Sequence, residues 1–307
     1  MRIAVVGAGG VGGYFGAKLA LAGNDVTFVA RGRHLEAMLR DGLRVASDAT
    51  PMHVVGVRAT SDISAIGGVD VVLLCVKLWD VETAARAIRP HLRDGGVVIP
   101  FQNGIDSPAL VSEAIGAEHA LGGIAYIAAS IESPGVIRHV GTMARMRVGA
   151  FDGVRADAAQ AFVALASSAG IEIALAPDIR TALWEKFVFL SALSGATCLT
   201  RQPLGVIRSD PHMRSTFEAI LRETWTVGRT RGAALGDDFV SRQLAMADTL
   251  PHEMRASMLH DLTAGNRLEA PWLCGAIVRL GREAGVPTPV NDTVYTALLP
   301  YVNGAPP

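Results

Sequence analysis

Cysteine is scarce in this chain: Cys75, Cys198 and Cys274 are the only three in 307 residues. They lie far apart, are odd in number and sit among apolar residues, so a disulfide framework is not expected. They read as inert core thiols of a reduced, cytoplasmic protein. The eight histidines are scattered. No second histidine follows His252-Glu253 at the spacing of a zinc-protease helix, and no metal is expected. Charge is also sparse, at 19% of residues with a net value of −1. That balance provides no basic footprint for nucleic acid or a membrane surface. The uncharged apolar run of residues 121–131 falls short of the ~18 residues of a membrane helix and contains Gly122 and Gly123. No basic region precedes a hydrophobic stretch at the start of "MRIAVVGAGG", so a signal peptide is not expected. Internal repeats and low-complexity segments are absent as well.

What the chain has in quantity is apolar residues, half of the total, enough for a sizeable core. Its length suggests about two domains. In the first hundred residues, short Val- and Ile-rich runs alternate with helical spacing. "RIAVVG" (2–7), "DVTFVA" (25–30), "DVVLLCV" (70–76) and "GVVIP" (96–100) read as strands of a parallel sheet covered on both faces. "YFGAKLALAG" (14–23) and "DVETAARAIRPHL" (80–92) read as helices between them. The fold class expected is α/β, a Rossmann-type doubly wound sheet followed by an all-helical C-terminal domain. "LRVAS" (43–47) and "HVVGVRA" (53–59) are predicted as an inserted strand pair, and "GVIRHVG" (135–141) with "ARMRVGA" (144–150) as a later antiparallel pair. "IEIALA" (171–176) would be the last strand. After Pro177 strand-like runs vanish, which places a dinucleotide-binding domain over 1–177 and a helical substrate domain over 178–307. The tail "NGAPP" is expected to be loose.

The first strand runs into Gly7-Ala8-Gly9-Gly10-Val11-Gly12 and then a helix. In that context G-x-G-x-x-G is a dinucleotide-binding turn. Gly7 permits the tight turn, Gly9 lets a pyrophosphate approach the backbone, and Gly12 lets helix and strand pack closely. The helix N-terminus then offers unpaired N–H groups to the phosphates. The second strand ends "FVARGR", with Arg31 and Arg33 and no acid to meet a ribose 2′-hydroxyl. Guanidinium groups suit a 2′-phosphate, so NADP(H) is expected over NAD(H); the alternative is that these arginines are ordinary solvated charge. Lys77 in "CVKLWD" and Asn103 in "FQNGID" follow strands at the sheet's carboxyl edge, where ligands bind in open α/β folds. A structural turn at Asn103 stays open.

These motifs add up to a family. With "VVGAGGVGGYFGAKLALAG", "CVKLWD", "FQNG", "GVIRHVG", "LWEKF", "SMLHDLTAGNRLEA" and "VRLGREAGVPTPVNDTVYTAL" in order along its length, the chain resembles the ketopantoate reductases (2-dehydropantoate 2-reductases). The resemblance implies two domains with a cleft between them and NADPH-dependent reduction of a 2-oxo acid to a 2-hydroxy acid. It carries the catalytic lysine onto Lys186 and the essential glutamate onto Glu269. A substrate-contacting serine falls on Ser257 and a nicotinamide-side asparagine on Asn103, while Lys77 matches a lysine near cofactor or substrate. The chain departs from the family where asparagines would follow the lysine by four and eight residues: here stand Leu190 and Ser194. Cys274 likewise replaces a frequent asparagine.

Positions 186, 190 and 194 share one helix face, so a pocket there would be less polar than the family's usual one. Lys186 opens a strongly apolar run; it either snorkels into water or is held half-buried for use. As an ammonium it could polarise a carbonyl oxygen and deliver its proton, with Glu269 holding it charged. Pro271 places Glu269 at a helix start. Three functions follow: reduction of ketopantoate in pantothenate biosynthesis, action on a different, more apolar 2-oxo or imino acid, or a catalytically silent NADPH-binding protein. The expected partner is a small 2-oxo acid, with no nucleic acid and no membrane; a homodimer is an open option.

Overall fold

The computed structural model describes residues 1–305. Two compact units emerge, one of residues 1–102 and 107–179, the other of residues 103–106 and 180–305. Each of the hydrophobic clusters lies within one unit.

The first unit is built on two sheets. Strands β1 (Arg2–Val6) and β2 (Asp25–Val29) are joined by helix α1 (Gly10–Leu21), and α2 (Gly32–Asp41) leads to β3 (Leu43–Ser47), β4 (Met52–Val54) and β5 (Ala59–Thr60). β6 (Val69–Leu74), α3 (Val81–Ile88), β7 (Leu92–Pro100) and α4 (Ser107–Ile115) follow. The unit closes with β8 (Gly122–Ser133), β9 (Val136–Gly149), α5 (Ala156–Ser168) and β10 (Glu172–Leu175). β5-β2-β1-β6-β7 form an all-parallel sheet, with its order reversing at β1 as in a doubly wound fold. Ile3, Ala4, Val5, Val71, Val72 and Leu73 are all buried, because helices or the second sheet cover both faces.

The second sheet, β10-β9-β3-β4 with β8 on β9, differs from expectation in two ways. Residues 135–141 and 144–150 are not a hairpin but parts of one long strand, β9. Its antiparallel partner is β8, the apolar run of residues 121–131. Across the register shift that falls between Ile127 and Ala129 of β8, β9 changes the face it buries, from Ile137 and His139 to Met146 and Val148. Residues 53–59 are likewise not one strand. Gly56 turns at φ +66°, so β4 pairs with β3 in the second sheet while β5 pairs with β2 in the first.

The second unit is helical: α6 (Ile179–Thr200), α7 (Leu204–Ser209), α8 (Pro211–Thr230), α9 (Phe239–Thr249), α10 (Ser257–Thr263), α11 (Cys274–Ala284) and α12 (Pro289–Leu298). α6 is long and apolar enough to cross a membrane, but 72% of that stretch is buried inside the protein, as in a core helix. Phe187, Val188, Leu193 and Ala196 on α6 pack with Ile220 and Leu221 of α8 and Ile277 of α11. Part of the tail is tied down rather than loose: Gly304 N–H donates to Tyr301 (3.0 Å) and Ala305 N–H to Gly265 (3.0 Å). Pro306 and Pro307 of that tail lie outside the described residues.

Candidate active site

β1 delivers the chain to Gly7, whose φ of +98° few side-chain-bearing residues tolerate. A Cβ there would also lie 2.7 Å from the Cys75 carbonyl carbon. The amides of Gly7 and Ala8 both donate to the Val29 carbonyl, at 3.0 and 3.2 Å, binding the turn to the end of β2. Gly9 begins α1, and a Cβ placed on it would meet nothing within 4 Å. The remaining glycines answer to packing. Gly12 sits against the Gly7 carbonyl and Val5, Gly10 against the carbonyl of Ala129 on β8, and Gly13 against Ile137 on β9. Val11 is half-buried against the core of this unit, and Ala8 is buried.

In front of the turn lies a cavity of about 370 Å³, with Gly7, Gly9, Arg31, His34, Lys77 and Asp80 in its wall. Arg31 and Lys77 are exposed, and the Lys77 ammonium stands 5.7 Å from the centre of the Trp79 ring. Arg33 is exposed too but is not in the wall. A nicotinamide dinucleotide fits these residues. Open space at Gly9 admits a pyrophosphate, and the first N–H groups of α1 are unspent within the helix.

In the helical unit, α6 carries Lys186 half-buried. Its Nζ donates to Asn103 Oδ1 at 3.0 Å. Burial lowers the ammonium pKa to about 8, with the negative charge of Glu269 working in the opposite direction. Glu269 is itself buried and begins a short turn over Ala270–Trp272, whose Trp272 and Leu273 amides donate back to its carbonyl. Pro271 occupies the turn's interior, where its missing N–H costs nothing. The helical unit thus brings Lys186, Glu269 and Asn103 into one electrostatic group. Leu190, one turn along α6, is half-buried against the core. Ser194, a further turn on, is buried to 1%, and its Oγ has no hydrogen-bond partner among the described residues. Ser257, at the start of α10, is exposed.

Sequence reasoning missed Gln102 and His34. Gln102 Nε2 donates to the carbonyls of Leu74 and Val76, both at 2.9 Å, pinning the loop that carries Lys77. The quoted "FQNG" contained it, but only tertiary pairing reveals the role. His34 stands in the cavity wall with no local sequence signal.

A Rossmann-type sheet with a glycine turn, joined in sequence to a helical unit in which a half-buried lysine lies under the charge of a buried glutamate, defines a class of nicotinamide-dinucleotide oxidoreductases. The models "Ketopantoate reductase PanE/ApbA" and "Ketopantoate reductase PanE/ApbA C terminal" match residues 3–153 and 178–301, and the chain belongs to the ketopantoate reductase family. It is 30% identical to the uncharacterized oxidoreductase YkpB of Bacillus subtilis, over 98% of this chain and 99% of that one. It is 32% identical to a 2-dehydropantoate 2-reductase of Halobacterium salinarum, over 96% of each. The crystal structure of a 2-dehydropantoate 2-reductase from Geobacter metallireducens matches at TM-score 0.90 and 29% identity, covering 97% of this chain and 99% of that one.

Proposed function

We propose that the protein reduces a 2-oxo acid to the 2-hydroxy acid with NADPH, ketopantoate to pantoate being the leading reaction. The carrying observation is Lys186: half-buried, its pKa brought to about 8, hydrogen-bonded to Asn103 and under the charge of Glu269. The bound dinucleotide would supply a hydride to the carbonyl carbon. Negative charge then develops on the carbonyl oxygen, and the Lys186 ammonium stabilises it and donates the proton. A pKa near the working pH suits that transfer, since the group is both charged and willing to release its proton. Asn103 Oδ1 fixes the direction of Nζ, and Glu269 keeps it protonated. Arg31 in the cavity wall supports NADPH over NADH through its fit to a 2′-phosphate. Three unpaired cysteines, with thiols pushed up to about 12 by burial, suit a reducing cytoplasm.

A second reading, favoured by Leu190 and Ser194 in place of asparagines, is a larger or more apolar 2-oxo acid. A site lacking a partner for the substrate's own hydroxyl leaves it unpaired, at a cost of about 1–3 kcal/mol. Pantothenate biosynthesis follows only from the first reading. The deciding experiment is a panel of 2-oxo acids, ketopantoate included, assayed by loss of NADPH absorbance. Highest kcat/KM on ketopantoate supports the first reading, and on a branched or aryl acid the second. Folded protein that binds NADPH and reduces none of them would overturn both and leave a silent binding protein.

A further inference from the structure

We propose that His34 is a positioning residue of the dinucleotide site, setting the direction of the peptide between Ala8 and Gly9; the inference rests on the dinucleotide reading above. His34 lies on α2, in the cavity wall. Its Nε2 is 2.9 Å from the Ala8 carbonyl, and the Gly135 amide donates to its Nδ1 at 3.0 Å. A carbonyl can only accept and an amide N–H can only donate, so the partners fix the tautomer: the proton is on Nε2 and Nδ1 is bare. Burial, which lowers the pKa of His34, favours this neutral form.

Both ends of the clip are meaningful. In a trans peptide the C=O of one residue and the N–H of the next point in opposite directions. Holding the Ala8 carbonyl therefore aims the Gly9 N–H, at the residue whose open face admits a phosphate. The turn's other early amides, those of Gly7 and Ala8, are committed to Val29. At the far end, Gly135 is an anchored point. It turns at φ +79°, its carbonyl accepts from the Arg44 amide at 2.9 Å, and a Cβ on it would come within 3.0 Å of the Ala37 side chain. His34 thus ties the glycine turn to the β8–β9 connection of the second sheet.

The test is fluorescence titration of the full chain with NADPH and with NADH, for the wild type, His34→Leu and His34→Gln. Leucine fills the space without hydrogen bonds, while glutamine can donate from Nε2 and accept at Oε1. His34→Leu should raise Kd about tenfold, by the same factor for both dinucleotides, because the pyrophosphate is common to them. His34→Gln should stay within about threefold of wild type, and kcat at saturating NADPH should be unchanged in both. A leucine variant that binds like wild type overturns the inference, as does a folded glutamine variant as weak as the leucine one. If His34→Leu does not fold, the ring nitrogens of ¹⁵N-histidine-labelled wild type decide. A proton on Nε2, with shifts that respond to NADPH, supports the clip; the opposite tautomer or an unresponsive ring rejects it. Wild type that binds neither dinucleotide sinks the dinucleotide reading itself, and this inference with it; wild type that binds while His34 is indifferent sinks this inference alone.

Discussion

An ammonium ion moved out of water resists staying charged, and a nearby carboxylate resists its discharge; Lys186 sits between these two pressures. Burial is the larger, so its pKa falls from 10.5 to about 8. Proton donation needs the charged form, so kcat should be steady below pH 8 and fall above it. Because Glu269 raises the value, Glu269→Gln should move that alkaline fall to lower pH; a pH–rate profile with an unmoved limb would separate the two residues. Lys186→Ala should lower kcat by about 10²–10⁴-fold, the usual worth of a positioned acid, with NADPH affinity nearly unchanged in a binding titration. The same lowered pKa bears on stability. The penalty of burying the charge is present in full below pH 8 and is relieved as pH rises toward 10.5, where the unfolded chain also loses its proton. Arg31 is a separate matter of recognition: Arg31→Ala should weaken NADPH tenfold or more and NADH less than twofold, read as Kd. Lys186 as a lysine at the mouth of an apolar run was visible in the sequence. Asn103 was visible as a ligand-side candidate after a strand at the sheet's carboxyl edge, but not as the partner of Lys186, since 83 residues separate the two.

At the scale of elements, α1 shows that one motif serves two demands. Gly9 faces open space, so Gly9→Ala should leave the thermal midpoint nearly unchanged, while raising the Kd for NADPH tenfold or more if the proposed pyrophosphate site lies there, because the added methyl would stand in its way. Gly10 faces the backbone of β8, which cannot swing aside like a side chain. Gly10→Ala should therefore lower the thermal midpoint as well as binding; calorimetry on the two variants checks the contrast. In the helical unit, Glu223 on α8 accepts from the amides of Val290 (2.8 Å) and Asn291 (2.9 Å) and from the Asn291 side chain (2.7 Å), capping α12 from outside. Its carboxylate also meets the positive end of that helix. Glu223→Ala should cost about 2–3 kcal/mol, from the loss of charge-assisted bonds to buried donors, measurable by urea unfolding. Neither the second role of Gly10 nor that of Glu223 can be read locally, because the atoms that explain them come from strands or helices far along the chain.

For the whole molecule, the hydrophobic clusters divide as the units do. One is centred on Phe187, Ile220 and Ile277, the others on the sheets of the first unit. Heating should give two calorimetric transitions, and NADPH at a hundred times its Kd should stabilise the one belonging to the first unit by about 2.7 kcal/mol through mass action. A single transition, shifted as a whole, would mean that the cores unfold together. The amino-acid sequence by itself determined the parallel sheet, the glycine turn, the helical second half and the lysine–glutamate candidates. Each is written in short-range periodicity, in a contiguous motif or in a recognisable order of motifs. Only the tertiary structure decided that residues 103–106 belong with the helical unit, that residues 122–149 form one bulged antiparallel pair, and that His34 bonds the Ala8 carbonyl while Gln102 bonds those of Leu74 and Val76. The physical reason is the same throughout: a hydrogen bond or a close backbone contact between distant residues leaves no period and no spacing in the chain that makes it.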